Sequence, residues 1–240
     1  MKNPAAGGGR WVDVPPERLV SWIVTFTQRH GASSVSGDEA GVTVTFAAPD
    51  GAVAECHPPF PPLQLPWLRP ARSDDPAAIA EAIVAHAVAD RTVGVLLARL
   101  GGYAIGVFAG SPPRLVSSKT GSRPVHGRSA AGGWSQHRFA RRRENQAATA
   151  LRAAADAAAG IFAPFSFDAL VLGGDKRSIA GLRDDVRLAS YLGLATDRFL
   201  TVPDPRLSVL KEIPRAFLAI RIRLIEPTLT EPEYSGQAAG

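Results

Sequence analysis

The sequence lacks the features that mark secreted and membrane proteins. Its 240 residues include one cysteine, Cys56, which excludes an internal disulfide and a thiolate zinc cluster. Prolines, glycines and charges interrupt every apolar run well before the roughly 18 residues that a membrane-spanning helix requires. The N-terminal segment, Met1 to Arg10, holds no apolar core of the signal-peptide kind. These absences predict a cytoplasmic protein that has no contact with a membrane.

Common catalytic motifs are missing as well. The sequence has no G-x-S-x-G nucleophile elbow, no H-x-x-x-H metal pair and no G-x-x-x-x-G-K-[ST] phosphate loop. Gly173-Gly174-Asp175-Lys176 differs from such a loop and is interpreted as a turn from a strand into a helix. Ser135 and His137 stand two residues apart and diverge on a helix, so they do not form a triad with Asp156. We therefore expect neither a bound metal nor a cofactor.

Acidic residues are scarce in the middle of the chain. The formal net charge is +5 and the isoelectric point is near 9.9. Residues 91–155 contain eleven Lys or Arg against one acidic residue, Glu144, whereas 1–90 carries a net charge of −4 and 156–240 of −1. Of the 27 basic residues, 23 are arginine, a side chain that binds phosphate with two parallel hydrogen bonds. The middle segment is therefore the candidate contact with nucleic acid.

The distribution of prolines and of hydrophobic periodicity predicts two folded parts. Residues 11–70 are interpreted as a small helix-and-hairpin unit followed by a linker, in which six prolines fall between Pro58 and Pro70. In residues 71–228, antiparallel strands come first and strands alternating with helices follow. This order predicts an α+β or mixed α/β fold, with helices packed on a mixed sheet. Residues 1–10 and 229–240 are predicted to be disordered tails.

The second part contains the glycine-rich segment of interest. The predicted elements are strands over Val93–Leu100, Tyr103–Ala109 and Arg114–Lys119, a glycine-rich loop over 120–136, a long helix over His137–Ala159, a strand over Asp168–Leu172, a helix over Ser178–Leu192, a strand near Phe199–Val202, a helix near Arg206–Ile213 and a final strand over Ala216–Leu224. The glycine-rich loop thus joins a strand to the longest predicted helix.

The loop and the start of the long helix combine glycine with positive charge. Glycines allow a backbone to approach a ligand closely. Arginines in a first helical turn oppose the helix dipole by roughly 0.3–1 kcal/mol each, so a partner that supplies negative charge explains them better than a solvated face does. The basic residues of this segment, the candidates to bind such a partner, are Arg123, Arg128, Arg138, Arg141, Arg142 and Arg143.

The loop ends in a glutamine, Gln136, which is neither an acid nor a base at accessible pH. Chemistry built on this side chain must orient water and donate hydrogen bonds to a developing oxyanion. Such chemistry suits a substrate that is already activated, for example an ester.

At these residues the chain resembles a known family. Gly132-Gly133-Trp134-Ser135-Gln136, followed by the arginines and Glu144-Asn145-Gln146, is similar to the Vms-like release factor family and its actinobacterial branch. This family is related to the central domain of eukaryotic and archaeal class I release factors, whose loop reads Gly-Gly-Gln. The similarity spans roughly residues 90–225.

The resemblance implies a peptidyl-tRNA hydrolase of ribosome rescue and quality control. Gln136 would be the catalytic glutamine and Gly132 and Gly133 the loop glycines. The arginines of the loop and of the helix start would bind RNA, and Trp134 would stack on a terminal base. The partners would be the large ribosomal subunit, its rRNA and peptidyl-tRNA, and no DNA. Residues 1–70 lack the motifs of a codon-reading domain, so release is expected to be independent of a codon. Two alternatives stay open: a nuclease that cuts tRNA near its 3′ end, and a non-catalytic factor whose loop only occupies the tRNA site on the ribosome.

Overall fold

The computed structural model describes residues 3–5, 8–63, 75–99, 101–122 and 135–227, with the backbone alone for 3–4 and 135–145. In chain order, the first elements are β1 (Asn3–Pro4), β2 (Arg10–Val14), α1 (Pro16–His30), β3 (Ser34–Gly37), β4 (Val44–Ala47), β5 (Val53–His57) and α2 (Pro76–Ala87). They are followed by β6 (Thr92–Arg99), β7 (Gly102–Ala109), β8 (Arg114–Ser122), α3 (Ser135–Phe162), β9 (Ala169–Gly174), α4 (Lys176–Leu182), α5 (Ala189–Leu192), β10 (Ala195–Leu200), α6 (Leu207–Phe217) and β11 (Ile220–Ile225).

The chain divides into two compact units. Unit 1 consists of Met1–Ala87 and Ala219–Gly240, and unit 2 consists of Val88–Leu218. This division differs from the sequence-based one, which ended the first part at residue 70 and assigned the final strand to the second. The reason is that β11 pairs with β2 and β5, strands that lie more than 150 residues away in the sequence.

Unit 1 is an antiparallel sheet with two helices on one face. The strand order is β1-β2-β11-β5-β4-β3. Alternate residues of β11 are buried, namely Ile220, Ile222 and Leu224, as the two-residue period of a strand requires. α1 begins at Pro16, where proline fits the first turn, and buries Leu19 and Ile23 against the core.

Four parts of unit 1 extend beyond the predicted helix-and-hairpin unit. β2 and β3 are strands that the sequence analysis did not predict. β1, inside the predicted N-terminal tail, pairs with Arg10 and Trp11 of β2. The predicted proline-rich linker packs on the unit as far as Leu63, since Pro58, Pro59 and Leu63 are buried. The predicted tail over 229–240 lies outside the described residues.

Unit 2 contains the predicted mixed sheet, in the order β10-β9-β6-β7-β8. β6, β7 and β8 form an antiparallel meander, and β9 and β10 add parallel strands on the other side of β6. The prediction of antiparallel strands followed by strands alternating with helices is therefore confirmed. The core contains Leu96, Ile105, Leu170 and Phe162.

The continuous helix predicted over Ser178–Leu192 is wrong. α4 ends at Leu182, a short 3-10 helix covers Val186–Leu188, and α5 follows. The interruption lies at Asp185, whose side chain accepts a hydrogen bond from the backbone N–H of Arg187 at 3.0 Å. A short aspartate side chain that bonds to nearby backbone N–H groups competes with helix continuation and starts a new turn instead.

Candidate functional site

The candidate catalytic glutamine lies at the start of the longest helix. α3 begins at Ser135, two residues before the predicted start, so Gln136 is its second residue. The first four N–H groups of a helix have no acceptor within the helix, and they carry the positive end of the helix dipole. This position therefore combines a glutamine with backbone hydrogen-bond donors. The predicted site residues Arg123, Arg128, Gly132, Gly133 and Trp134 lie outside the described residues.

α3 is held in place by small residues of its C-terminal half. Ala154 and Ala158 are buried, and α3 packs against β7 and β8. Leu151 is half-buried, whereas Ala147, one turn earlier in the helix, is exposed. Alanine side chains let the helix approach the sheet closely, so α3 has a defined position on the mixed sheet.

β8 leads the chain toward the candidate loop. It runs to Ser122, three residues past the predicted end at Lys119, and it is an edge strand of the sheet. The segment that joins the strand to the helix therefore lies between Ser122 and Ser135, and it is shorter than the predicted loop of 120–136. Both ends of this segment are anchored in unit 2, by β8 on one side and by α3 on the other.

The helical backbone places three arginines of α3 on one face of the helix. Arg138, Arg141 and Arg142 stand at i, i+3 and i+4, positions that share a helix face. Arg143 follows directly, and its side chain, like those of the other three, lies outside the described part. Further along the helix, Arg152 is exposed and falls on the same face as Arg138, Arg141 and Arg142.

The other groups considered for catalysis have structural partners. Asp156 forms an ion pair with Arg187 at 2.8 Å, and Arg187 also lies 2.7 Å from Asp185. The hydrogen bond to Asp185 is the main cause that raises the pKa of the Arg187 guanidinium, and the hydrogen bond to Asp156 is the second. Asp175 caps α4, because its carboxylate accepts hydrogen bonds from the backbone N–H and the hydroxyl of Ser178, both at 2.7 Å. The interpretation of 173–176 as a turn from strand to helix is confirmed.

The histidines whose side chains the structure describes, His30, His57 and His86, belong to unit 1 and contact its own residues. His30 lies 2.8 Å from the carboxylate of Asp50, and Nε2 of His86 lies 3.1 Å from the Pro59 carbonyl oxygen. Among the residues that the structure describes, no group of three or more His, Cys, Asp or Glu side chains could hold a metal ion. Within the same part of the chain, no helix is long and apolar enough to cross a membrane.

One cavity of unit 1 was not anticipated from the sequence. It lies between α1 and β2 and is lined in part by Arg18, Trp22 and Arg29. No motif marks these residues, since they are separated by ordinary helical spacings. Only the position of β2 beside α1 brings them around one groove.

In the mixed sheet, the edge strand leads through a glycine-rich segment into a long helix with glutamine in its first turn, which is the order of elements that the resemblance to release factors implied. The family model of the Actinobacteria/Chloroflexi VLRF1 release factor matches residues 91–223, more than half of the chain. The chain therefore belongs to the VLRF1 release factor family, as the resemblance predicted. The match covers nearly all of unit 2 and β11.

Two solved structures show a distant similarity. One is the crystal structure of the archaeal translation termination factor aRF1, whose sequence is 11% identical to this chain. The TM-score is 0.34, and the aligned region covers 87% of this chain and 66% of that one. A second archaeal protein is 13% identical, with a TM-score of 0.31, and covers 84% of this chain and 62% of the other. The chain thus spans slightly less than two thirds of these proteins. No curated protein matches it. The family assignment rests on the family model alone.

Proposed function

We propose that this protein is a peptidyl-tRNA hydrolase that releases nascent chains from stalled large ribosomal subunits without reading a codon. The observation that carries the proposal is the position of Gln136 as the second residue of α3, directly after a glycine-rich segment, in a chain of a release factor family. Ester hydrolysis in such a site depends on positioning and on electrostatic stabilisation rather than on a side chain that titrates.

The proposed reaction uses water as the nucleophile. The Gln136 amide and a backbone N–H of the first turn of α3 orient a water molecule and donate hydrogen bonds to the ester carbonyl oxygen. The water oxygen bonds to the carbonyl carbon, and a tetrahedral oxyanion forms. The bond from that carbon to the ribose oxygen of the tRNA then breaks. One proton of the water reaches this oxygen through the neighbouring ribose hydroxyl, and the new carboxylic acid loses the other to solvent, so the products are a free carboxylate and an intact tRNA.

The arginines are the residues that would bind RNA in this proposal. Arg138, Arg141 and Arg142 share one face of a helix that starts beside the loop, so they would bind phosphates of rRNA or of the tRNA acceptor end while Gln136 reaches the ester. Arg123, Arg128 and Arg143 would extend this basic surface, and Trp134 would stack on a terminal base. Gly132 and Gly133 would let the backbone approach the ester closely.

The test compares two glutamines of the same helix. Large subunits that carry peptidyl-tRNA are incubated with wild-type protein, with Gln136→Ala and with Gln146→Ala, and both the peptide and the tRNA 3′ end are analysed. We expect wild type and Gln146→Ala to release the peptide and leave the terminal CCA intact, whereas Gln136→Ala binds the subunit but releases no peptide. A shortened tRNA would identify a nuclease instead. Equal release by all three proteins would refute the catalytic role of Gln136, and binding without any product would refute the hydrolase proposal.

A further inference from the structure

A groove of about 470 Å³ lies in unit 1, along the flank of α1 and strand β2. Four lining residues, Arg18, Ser21, Thr25 and Arg29, recur at intervals of three or four along α1 and are all exposed. This spacing places them on one helical face, which forms one wall of the groove. None of them belongs to the proposed hydrolase site.

The floor of the groove is apolar. Val12 and Val14 of β2, together with Leu224 of β11, line it from the sheet. From α1, Trp22 lies half-buried and stacks on Phe26, with ring centroids 5.8 Å apart and an angle of 7° between the planes. A cavity with an apolar floor and an aromatic wall is suited to hold an apolar side chain.

The rim of the groove carries more basic than acidic groups. Arg10, Arg18 and Arg29 line it, with Glu226 and Asp13 as the acidic residues. Arg10 binds Glu226 at 3.1 Å, and this hydrogen bond is the main cause that lowers the pKa of Glu226, to which the charge of Arg29 also contributes. Among the described residues, neither Arg18 nor Arg29 has a carboxylate within ion-pair distance. The groove therefore offers two arginines for a ligand.

The distance between Arg18 and Arg29 suits a ligand that is an extended polypeptide. They are eleven residues apart in α1, which is about 16 Å along the helix axis. An extended polypeptide covers this distance in about five residues. An acidic side chain at each end of such a segment would therefore meet an arginine while an apolar side chain between them enters the floor.

We propose that this groove binds a protein segment in which acidic side chains flank an apolar one. Charge favours this ligand over single-stranded RNA. Unit 1 contains eight Lys or Arg against twelve Asp or Glu, so its overall field repels a polyanion. A short peptide with two carboxylates interacts mainly with the local arginines, and its apolar side chain uses the floor, which a phosphate backbone would leave empty.

The test measures binding of a labelled peptide to the full chain by fluorescence anisotropy. The probe is a synthetic peptide with one leucine between two glutamates spaced to match the arginines, and the control peptide has lysines in place of the glutamates. We expect the acidic peptide to bind and the lysine peptide not to bind. The double variant Arg18→Glu/Arg29→Glu should reverse this preference, with a loss of affinity for the acidic peptide of about tenfold or more.

A matched pair of tryptophan substitutions tests the location. Thr25 lines the groove, whereas Gln28 is an exposed residue of the same helix outside it. Thr25→Trp should fill the groove and abolish peptide binding, and Gln28→Trp should bind as wild type does. Circular dichroism establishes that each variant is folded. The proposal is overturned if the acidic peptide does not bind, if both tryptophan variants behave alike, or if an oligouridine RNA binds more tightly than the peptide and responds to the same substitutions.

Discussion

Gly174 allows a direct test of the turn that follows β9. Its φ is +108°, a conformation that costs a residue with a side chain about 1–3 kcal/mol. A Cβ added there would lie 2.0 Å from the carbonyl oxygen of Ala98 and 2.7 Å from its carbonyl carbon, both backbone atoms of β6. Relieving this clash requires movement between two paired strands, for which overpacking costs of about 1–3 kcal/mol are typical. Gly174→Ala should therefore destabilise the protein by about 2–6 kcal/mol, the sum of the two contributions.

Urea unfolding measures this free energy, and a second glycine provides the control. Gly160 lies in α3, and a Cβ added there meets no heavy atom within 4 Å. Gly160→Ala should stabilise the protein by up to about 1 kcal/mol, the difference in helix propensity. A Gly174→Ala variant whose free energy of unfolding lies within about 1 kcal/mol of the wild-type value would refute the reasoning. Stabilisation of wild type by nucleotides, lost in Gly174→Ala, would show instead that this turn binds phosphate.

Three further predictions concern RNA binding, pH and thiol reactivity. Replacing Arg141 and Arg142 by Gln should weaken binding to rRNA fragments and reduce the slope of log affinity against log salt by about two, as measured by titrations at several salt concentrations; an unchanged slope would remove these residues from the interface. Glu55 accepts two hydrogen bonds from Arg223, at 2.6 and 2.7 Å, and these bonds are the main cause that lowers the pKa of its carboxyl. A carboxyl with a lowered pKa contributes stability above its unfolded value, near 4.5, and loses it as the pH falls through the folded value. Acid unfolding of Glu55→Gln should therefore depend less on pH than that of wild type, and parallel curves would contradict this. Burial raises the pKa of the Cys56 thiol, so iodoacetamide should label it only after urea unfolds the protein, a result that mass spectrometry checks.

Elements with a strong local pattern were predictable. Helix α3 and the hairpin of β6 and β7 lie within three residues of their predicted ends. Each has an apolar period, a proline or aspartate near its start, or a glycine turn, and these signals act over a few neighbouring residues. The helix predicted through Asp185 failed because one side-chain hydrogen bond outweighed the helical pattern.

The candidate site was partly predictable. A glycine-rich segment, a glutamine and a series of arginines are adjacent in the sequence, so their association required no tertiary information. The start of α3 at Ser135 and the extension of β8 to Ser122 depended on the structure, because helix and strand ends are set by pairing and packing as well as by propensity. The groove of unit 1 had no sequence signal.

By itself the sequence determined the class of the protein, the basic middle segment and the glutamine at the head of a long helix. The tertiary structure alone decided that β11 completes the sheet of unit 1, where Ile222 pairs with Val12 and with Cys56. It likewise decided that β2 is a strand, since five residues with a mixed pattern extend only when a partner supplies hydrogen bonds. Pairing between distant segments depends on the whole fold, and no local pattern encodes it.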